Sequence, residues 1–96
     1  MKIVWKKREM GVTHAELLRL LPAAVGHAEY CMENNRISLM AEEGRVVIHY
    51  SPQKLRSLGA LRLPVTHLAF SFQGFSEPSV KHFMARFDRA FQRAGG

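Results

Sequence analysis

The chain carries two kinds of hydrophobic pattern. In "KIVWK" (residues 2–6) and "VTHLAFSF" (residues 65–72) every second residue is apolar, which is typical of strands with one buried face. This alternation places Ile3 and Trp5 on one side of a first strand. After Ser76, apolar residues recur at intervals of three and four, which predicts a long helix with one apolar stripe. The members of the stripe are Val80, Phe83, Met84, Phe87, Phe91 and Ala94.

A first helix is predicted near the amino terminus. Thr13 followed by Glu16 is the pattern in which a hydroxyl and a carboxylate satisfy the free amides of a helix start. Four leucines then supply an apolar stripe, and Pro22 and Gly26 bound the segment. We therefore expect the first helix to begin at Thr13 and to end at Pro22 or slightly beyond it.

Two turn signals in the middle of the chain predict consecutive hairpins. Asparagine tolerates the positive φ of a type I′ turn, so Asn34-Asn35 predicts a two-residue turn that sets Met32 opposite Ile37. A second turn at Glu43-Gly44 sets Ile37 opposite Tyr50, whereas a three-residue loop with a bulge at Gly44 would shift the last strand. Both registers keep apolar residues on one face of the sheet, whereas a slip of one residue brings polar residues there.

The segment between these hairpins and the last strand predicts a short helix. Ser51 and Pro52 suit an N-cap and a first helical residue, and Gly59 suits a helix end. The resulting order is β-α-β-β-β-(short α)-β-α, which predicts one α+β domain over residues 1–96. We expect a two-layer sandwich with an antiparallel sheet and two main helices on one face. In topology alone this order resembles the helix-grip and TATA-binding-protein-like architectures, and the resemblance implies no site.

The charge is positive and lies at the two ends of the chain. The net charge is +6, and residues 54–96 carry seven basic groups against two acidic ones, whereas residues 10–53 carry three against five. Such a bias favours acidic partners, either nucleic acid or an acidic protein. No apolar run approaches the roughly 18 residues that span a bilayer, and the single cysteine, Cys31, excludes an internal disulfide. We expect a cytoplasmic protein with no membrane partner.

The closing helix carries the clearest candidate binding surface. At about 100° per residue, four of its basic side chains fall within a narrow arc nearly opposite the phenylalanine stripe. No acidic residue interrupts the arc, and arginine is the better phosphate ligand because its planar fork donates two hydrogen bonds. The alternative is that these groups only solvate a helix face. The predicted anion-binding residues are His82, Arg86, Arg89 and Arg93, with Lys54, Arg56 and Arg62 as an extension of the same patch.

The sheet face without helices is a second candidate surface. It is predicted to show an apolar patch that a second copy of the chain could cover, and the interface residues would be Cys31, Met40, Val47, His49 and His67. Glu29 and Glu33 would repel phosphate there, and we expect no aromatic residue to be exposed on this face. Trp5 is left with two interpretations, a buried strand residue or a stacking surface for a base among neighbouring lysines.

Motifs for catalysis are absent from the sequence. The five histidines (His14, His27, His49, His67 and His82) show no metal-ligand spacing, and no phosphate-binding glycine loop occurs. A Cys31 nucleophile with His49 as its base would lack a third orienting group. We therefore predict no catalytic residue, no metal site and no cofactor.

Three functions follow from these patterns. The leading one is a small non-enzymatic binding or adaptor domain with a basic surface for nucleic acid or another acidic partner. The second is a protein–protein assembly module that forms a homodimer through the open sheet face. The third is a small-ligand carrier with a cavity between the sheet and the carboxyl-terminal helix.

Overall fold

A computed structural model describes the backbone of residues 3–26, 29–52 and 54–93, and the side chains of these residues except Arg93. His27, and Ala94 of the predicted helix stripe, lie outside the described residues. The elements in chain order are β1 (Ile3–Met10), α1 (His14–Val25), β2 (Glu29–Glu33), β3 (Arg36–Met40), β4 (Arg45–Tyr50), β5 (Lys54–Leu58), β6 (Leu61–Gln73) and α2 (Glu77–Arg93).

The predicted α+β fold is confirmed. The strands form an antiparallel sheet in the order β1-β6-β4-β3-β2, and β5 pairs with the first half of β6. Buried residues of α1, of α2 and of one sheet face belong to a single hydrophobic cluster, so both helices cover the same face. Phe70, Phe72 and Phe87 are at most 1% exposed and form the centre of this core.

The turn at Asn34-Asn35 has the predicted register. Met32 lies opposite Ile37 and Glu33 opposite Arg36, and Asn34 adopts a φ of 53°. This value is the left-handed conformation that asparagine tolerates.

The next turn lies one residue earlier than predicted. Ala41 and Gly44 exchange two backbone hydrogen bonds around Glu42-Glu43, so Ile37 lies opposite Ile48 and not opposite Tyr50. The shift amounts to two positions of β4, and the side-chain period of a strand is also two, so the same residues still face the core. Glycine is required here because the two chains approach closely: a Cβ at Gly44 would overlap the carbonyl oxygen of Gln73.

The predicted short helix over residues 51–59 is wrong, because this segment contains strand β5. Lys54 to Leu58 pair with Leu61 to Val65 across a turn at Gly59-Ala60, where Gly59 has a φ of 62°. The Ser51 hydroxyl accepts a hydrogen bond from the backbone amide of His67 at 2.9 Å and therefore does not cap a helix. A helix of two turns would satisfy few of its own backbone groups, whereas the hairpin supplies a partner strand for each residue.

Helix α1 begins as predicted and continues past Pro22 to Val25. Thr13 and Glu16 form the reciprocal capping pair, with both backbone-to-side-chain distances at 3.1 Å. The hydrogen bond from the Thr13 amide, followed by that from the Thr13 hydroxyl, lowers the pKa of the Glu16 carboxyl. Pro22 lies inside the helix, and Gly26, with a φ of 75°, ends it.

Candidate functional site

Helices α1 and α2 pack side by side, and a groove runs between them on the outer surface of the helix layer. We call it the helix groove. Small and apolar side chains form its floor, and its charged lining is entirely basic: the lining residues are Arg19, Leu20, Ala23, His82, Ala85, Arg86, Arg89 and Ala90. The groove brings together three of the predicted helix residues and adds Arg19 from α1.

The predicted orientation of α2 agrees with the structure. His82, Arg86 and Arg89 are exposed, whereas Phe87 is fully buried and Phe91 is 5% exposed. The two sets lie on opposite sides because residues separated by three or four positions share one side of a helix. Arg93 ends α2, and its side chain lies outside the described residues.

Arg86 also has a structural contact at the end of α1. A Cβ built at Gly26 would lie 2.9 Å from the Cζ atom of Arg86, so the guanidinium group is packed against the backbone of the α1 C-cap. The carboxyl end of a helix carries a partial negative charge that a cation stabilises. Arg86 therefore contributes to the contact between the helices as well as to the groove.

The acidic residue of the second half of α2 is directed away from the helix groove. Asp88 accepts two hydrogen bonds from the guanidinium group of Arg8 on β1, at 3.1 and 3.0 Å. Because Arg8 balances the Asp88 charge on the other side of α2, the positive potential of the groove is not reduced by a neighbouring free carboxylate.

The predicted extension of this patch lies elsewhere. Lys54, Arg56 and Arg62 belong to the hairpin of β5 and the first residues of β6, which projects beyond the end of β1. We call residues 54–63 the hairpin arm. Arg56 forms an ion pair with Glu9 of β1. The arm carries three positive charges that are separate from the helix groove, because it is built on the sheet and not on either helix.

The open sheet face contains all five predicted interface residues. The strand pairings align Cys31, Ser38, Val47 and Ser71 in one row. Met40 and His49 lie in the rows on either side of it, and His67 lies in the row beyond His49 on the same face. Met40 is 66% exposed and Val47 is half-buried. Serine side chains on both sides of Val47 interrupt the apolar residues, so the middle of the face is mixed and not a continuous hydrophobic patch.

The prediction that this face displays no aromatic residue is wrong. Trp5 lies on it and is 55% exposed, and Ile3 beside it is 49% exposed. The centroids of the Trp5 and His49 rings are 6.0 Å apart, with 30° between the ring planes. The alternation in "KIVWK" identified the side of the strand that Trp5 occupies, but it did not identify which side faces the helices.

The histidines and Cys31 are spread over several elements. Cys31 is an exposed free thiol on β2, and His49 is on β4, with β3 between them. Two strand spacings are about 10 Å, which is too far for His49 to act as the base of Cys31. His14 lies at the start of α1, with its Nε2 atom 2.8 Å from the carbonyl oxygen of Ser51. Within residues 3–26, 29–52 and 54–93 no group of three histidine, cysteine or acidic side chains could hold a metal ion.

The phenylalanines fill the space between the sheet and α2. Phe70 and Phe87 meet edge to face at 4.9 Å between ring centroids, and Phe87 and Phe91 lie 4.8 Å apart. These distances are those of aromatic rings in contact. Ring packing therefore fills this part of the interior, and a small pocket lined by Leu39, Val46 and Phe83 remains between the sheet and α2.

No protein-family model, curated protein or solved structure matches this chain. Neither of the described helices has the length and apolar content needed to cross a bilayer.

Proposed function

We propose that this protein is a small non-enzymatic binding domain whose helix groove binds an acidic partner, with nucleic acid as the first candidate. The observation that carries the proposal is that Arg19 of α1 joins His82, Arg86 and Arg89 of α2 around one groove. A helix face that is only solvated has no need for a basic residue from a second helix at the same place.

The composition of the groove supports a phosphate-bearing partner. Each arginine presents a planar fork that can donate two hydrogen bonds to one phosphate, and the apolar floor lowers the local dielectric constant. Arg19 and Arg89 are both exposed, so their guanidinium groups are accessible to a partner from solvent. An acidic protein would use the same charges, but it would rely less on bidentate contacts to single anions.

The test is binding of a fluorescently labelled duplex of mixed sequence over a series of salt concentrations. Arg19→Gln and Arg89→Gln should each weaken binding and lower the slope of log K against log salt by about 0.9, the contribution of one phosphate contact on duplex DNA. Lys81→Gln is the matched control, because Lys81 is exposed on the same helix and does not line the groove.

Two results would contradict the nucleic-acid proposal. One is the absence of detectable binding at low salt. The other is an equal loss of affinity for Lys81→Gln and Arg89→Gln, because this would show a diffuse attraction to net charge instead of a site in the groove.

We place the domain in the cytoplasm, as the sequence predicts. The exposed thiol of Cys31 supports this location, because a reducing compartment keeps an accessible lone cysteine from pairing with other molecules.

A further inference from the structure

On the open sheet face, the exposed ring of Trp5 lies close to the ring of His49. Strand β6 lies between β1 and β4, so Trp5 and His49 belong to strands about 10 Å apart. Their ring centroids are nevertheless only 6.0 Å apart. The residues of β6 beneath them are Ala69 and Ser71, whose small side chains leave room for both rings above the strand. The two rings, tilted by 30°, form an aromatic surface on which the indole remains 55% exposed.

Positive groups continue from this aromatic pair along β6 toward the hairpin arm. A depression beside the pair is lined by side chains that include Lys7, His49 and His67. Arg56 and Lys54 follow on the same side of the sheet, because their partners on β6, Leu63 and Val65, have the same parity as His67. The acidic residue of this stretch, Glu9, is paired with Arg56.

We propose that the half of the open sheet face formed by β1, β6 and β4 binds single-stranded nucleic acid, with one base stacked on Trp5 and the adjoining phosphates held by Lys7, Arg56 and Lys54. Stacking on an exposed indole next to a line of cations is the arrangement by which proteins hold unpaired strands without reading their sequence. A duplex would not use this site, because its bases are already stacked on each other. Glu29 and Glu33 lie on β2, at the edge of the sheet far from β1, and would repel phosphate there.

A second copy of the chain suits this face less well. The core of a homodimer interface is normally apolar and poor in charge. Here the central positions include Ser38, Ser71 and His49, and the exposed apolar residues Ile3 and Met40 lie toward one end of the face. The exposed indole of Trp5 lies close to the positive charge of Lys7, and this combination favours a polyanion with flat bases.

This site lies on the opposite layer from the helix groove, so the two proposals can fail separately. The protein provides its own probe, because Trp5 is the only tryptophan. We would titrate the wild-type protein with an oligothymidylate of about ten nucleotides at low salt, a length within the usual site size of single-strand binders. Stacking of a base on the indole should quench its fluorescence, and a blunt duplex of the same length should leave the emission nearly unchanged.

Affinity for a labelled oligothymidylate then identifies the contributing residues. Trp5→Leu should weaken binding by about tenfold, as expected for the loss of one stacked base. Lys7→Gln should lower the salt slope by about 0.7, the value for one phosphate contact on a single strand. Met40→Ala is the control, because Met40 is exposed on the same face but lies away from the aromatic pair. Arg19→Gln and Arg89→Gln should leave the quenching unchanged even if they abolish duplex binding.

Three outcomes would overturn the proposal. The first is binding of the oligothymidylate without any quenching of the indole. The second is a Trp5→Leu variant that binds as tightly as wild type. The third is a dimer in sedimentation equilibrium that Trp5→Leu dissociates, because a second copy would then be the occupant of this face. Circular dichroism of each variant confirms that the fold is retained, so a loss of binding is not a loss of structure.

Discussion

Arg8 on β1 and Asp88 on α2, eighty positions apart in the chain, are joined by two hydrogen bonds of 3.0 and 3.1 Å. This contact attaches the carboxyl-terminal helix to the edge strand of the sheet. Both side chains are 37% exposed, so water screens the attraction between them.

We expect the ion pair to contribute about 0.5 to 1 kcal/mol to the free energy of unfolding, because the bidentate geometry offsets part of the screening. The measurement is a double-mutant cycle of Arg8→Gln, Asp88→Asn and the double variant, each unfolded by urea. A coupling energy near zero would show that the two groups act independently in solution.

The capping pair of α1 predicts a pH dependence of stability. The pKa of Glu16 is lowered in the folded state, first by the hydrogen bond from the Thr13 amide, so the folded protein favours the ionised form. The contribution of Glu16 is therefore complete above the pKa that this group has in the unfolded chain, and it is lost as the pH falls through the lower folded value. Thermal unfolding followed by circular dichroism between neutral and strongly acidic pH should show this decrease.

Glu16→Gln is the control for that experiment, because it removes the titrating group and keeps its shape. The variant should show a shallower loss of stability in the acidic range than the wild type. Thr13→Ala should be less stable by about 1 kcal/mol at neutral pH, the usual value of an N-cap. Identical pH profiles for wild type and Glu16→Gln would mean that other carboxylates dominate the acid transition.

Phe87 is buried and Trp5 is exposed, and this difference tests which face of the sheet the helices cover. Phe87 is fully buried between α2 and the sheet, so Phe87→Ala should lower the free energy of unfolding by about 3 to 5 kcal/mol. Trp5 is 55% exposed on the other side of the sheet, and Trp5→Ala should cost less than about 1 kcal/mol. Chemical unfolding followed by circular dichroism measures both. Similar losses for the two variants would place Trp5 in the core and contradict the open sheet face.

Close contact between two turns predicts that position 44 accepts only glycine. Because the added Cβ of Gly44→Ala would meet the Gln73 carbonyl oxygen, β4 and β6 would have to separate at that end. We expect a loss of about 1 to 3 kcal/mol, as for other overpacked sites. Gly11→Ala is the matched control, since its nearest contact would be an ordinary 3.7 Å to the Pro64 carbonyl oxygen, and it should fold with nearly wild-type stability. An equal loss in both variants would point to a general effect of replacing glycine.

Local signals in the sequence predicted the elements whose cause is local. The Thr13–Glu16 pair marks a helix start through bonds between neighbours, and Asn34-Asn35 fixes a turn through its own backbone preference. The residues of segment 51–59 by themselves predict a helix, because its strand partner, Leu61–Val65, is identified only once the hairpin is paired. Local propensity is weak in such a short segment, and the pairing determines the structure.

The candidate surfaces also include features that have a local cause and features that depend on how the elements pack. The arc of His82, Arg86 and Arg89 follows from helix geometry alone and could be predicted. The participation of Arg19 depends on how α1 packs against α2, for which the sequence holds no local signal. Similarly, the exposure of Trp5 depends on which face of β1 the helices cover.

The hairpin arm has a consequence for how the protein behaves at high concentration. Four leucines are between 43% and 63% exposed along a narrow ribbon whose outer strand, β5, pairs among the described strands with β6 alone: Leu55, Leu58, Leu61 and Leu63. Such a ribbon is a template on which further chains could assemble edge to edge, and charged side chains such as Lys54 and Arg62 are what natural proteins use to prevent it. Electrostatic repulsion at this protrusion therefore contributes to the colloidal stability of the protein, and we expect added electrolyte, by shortening the range of that repulsion, to bring the protein closer to aggregation.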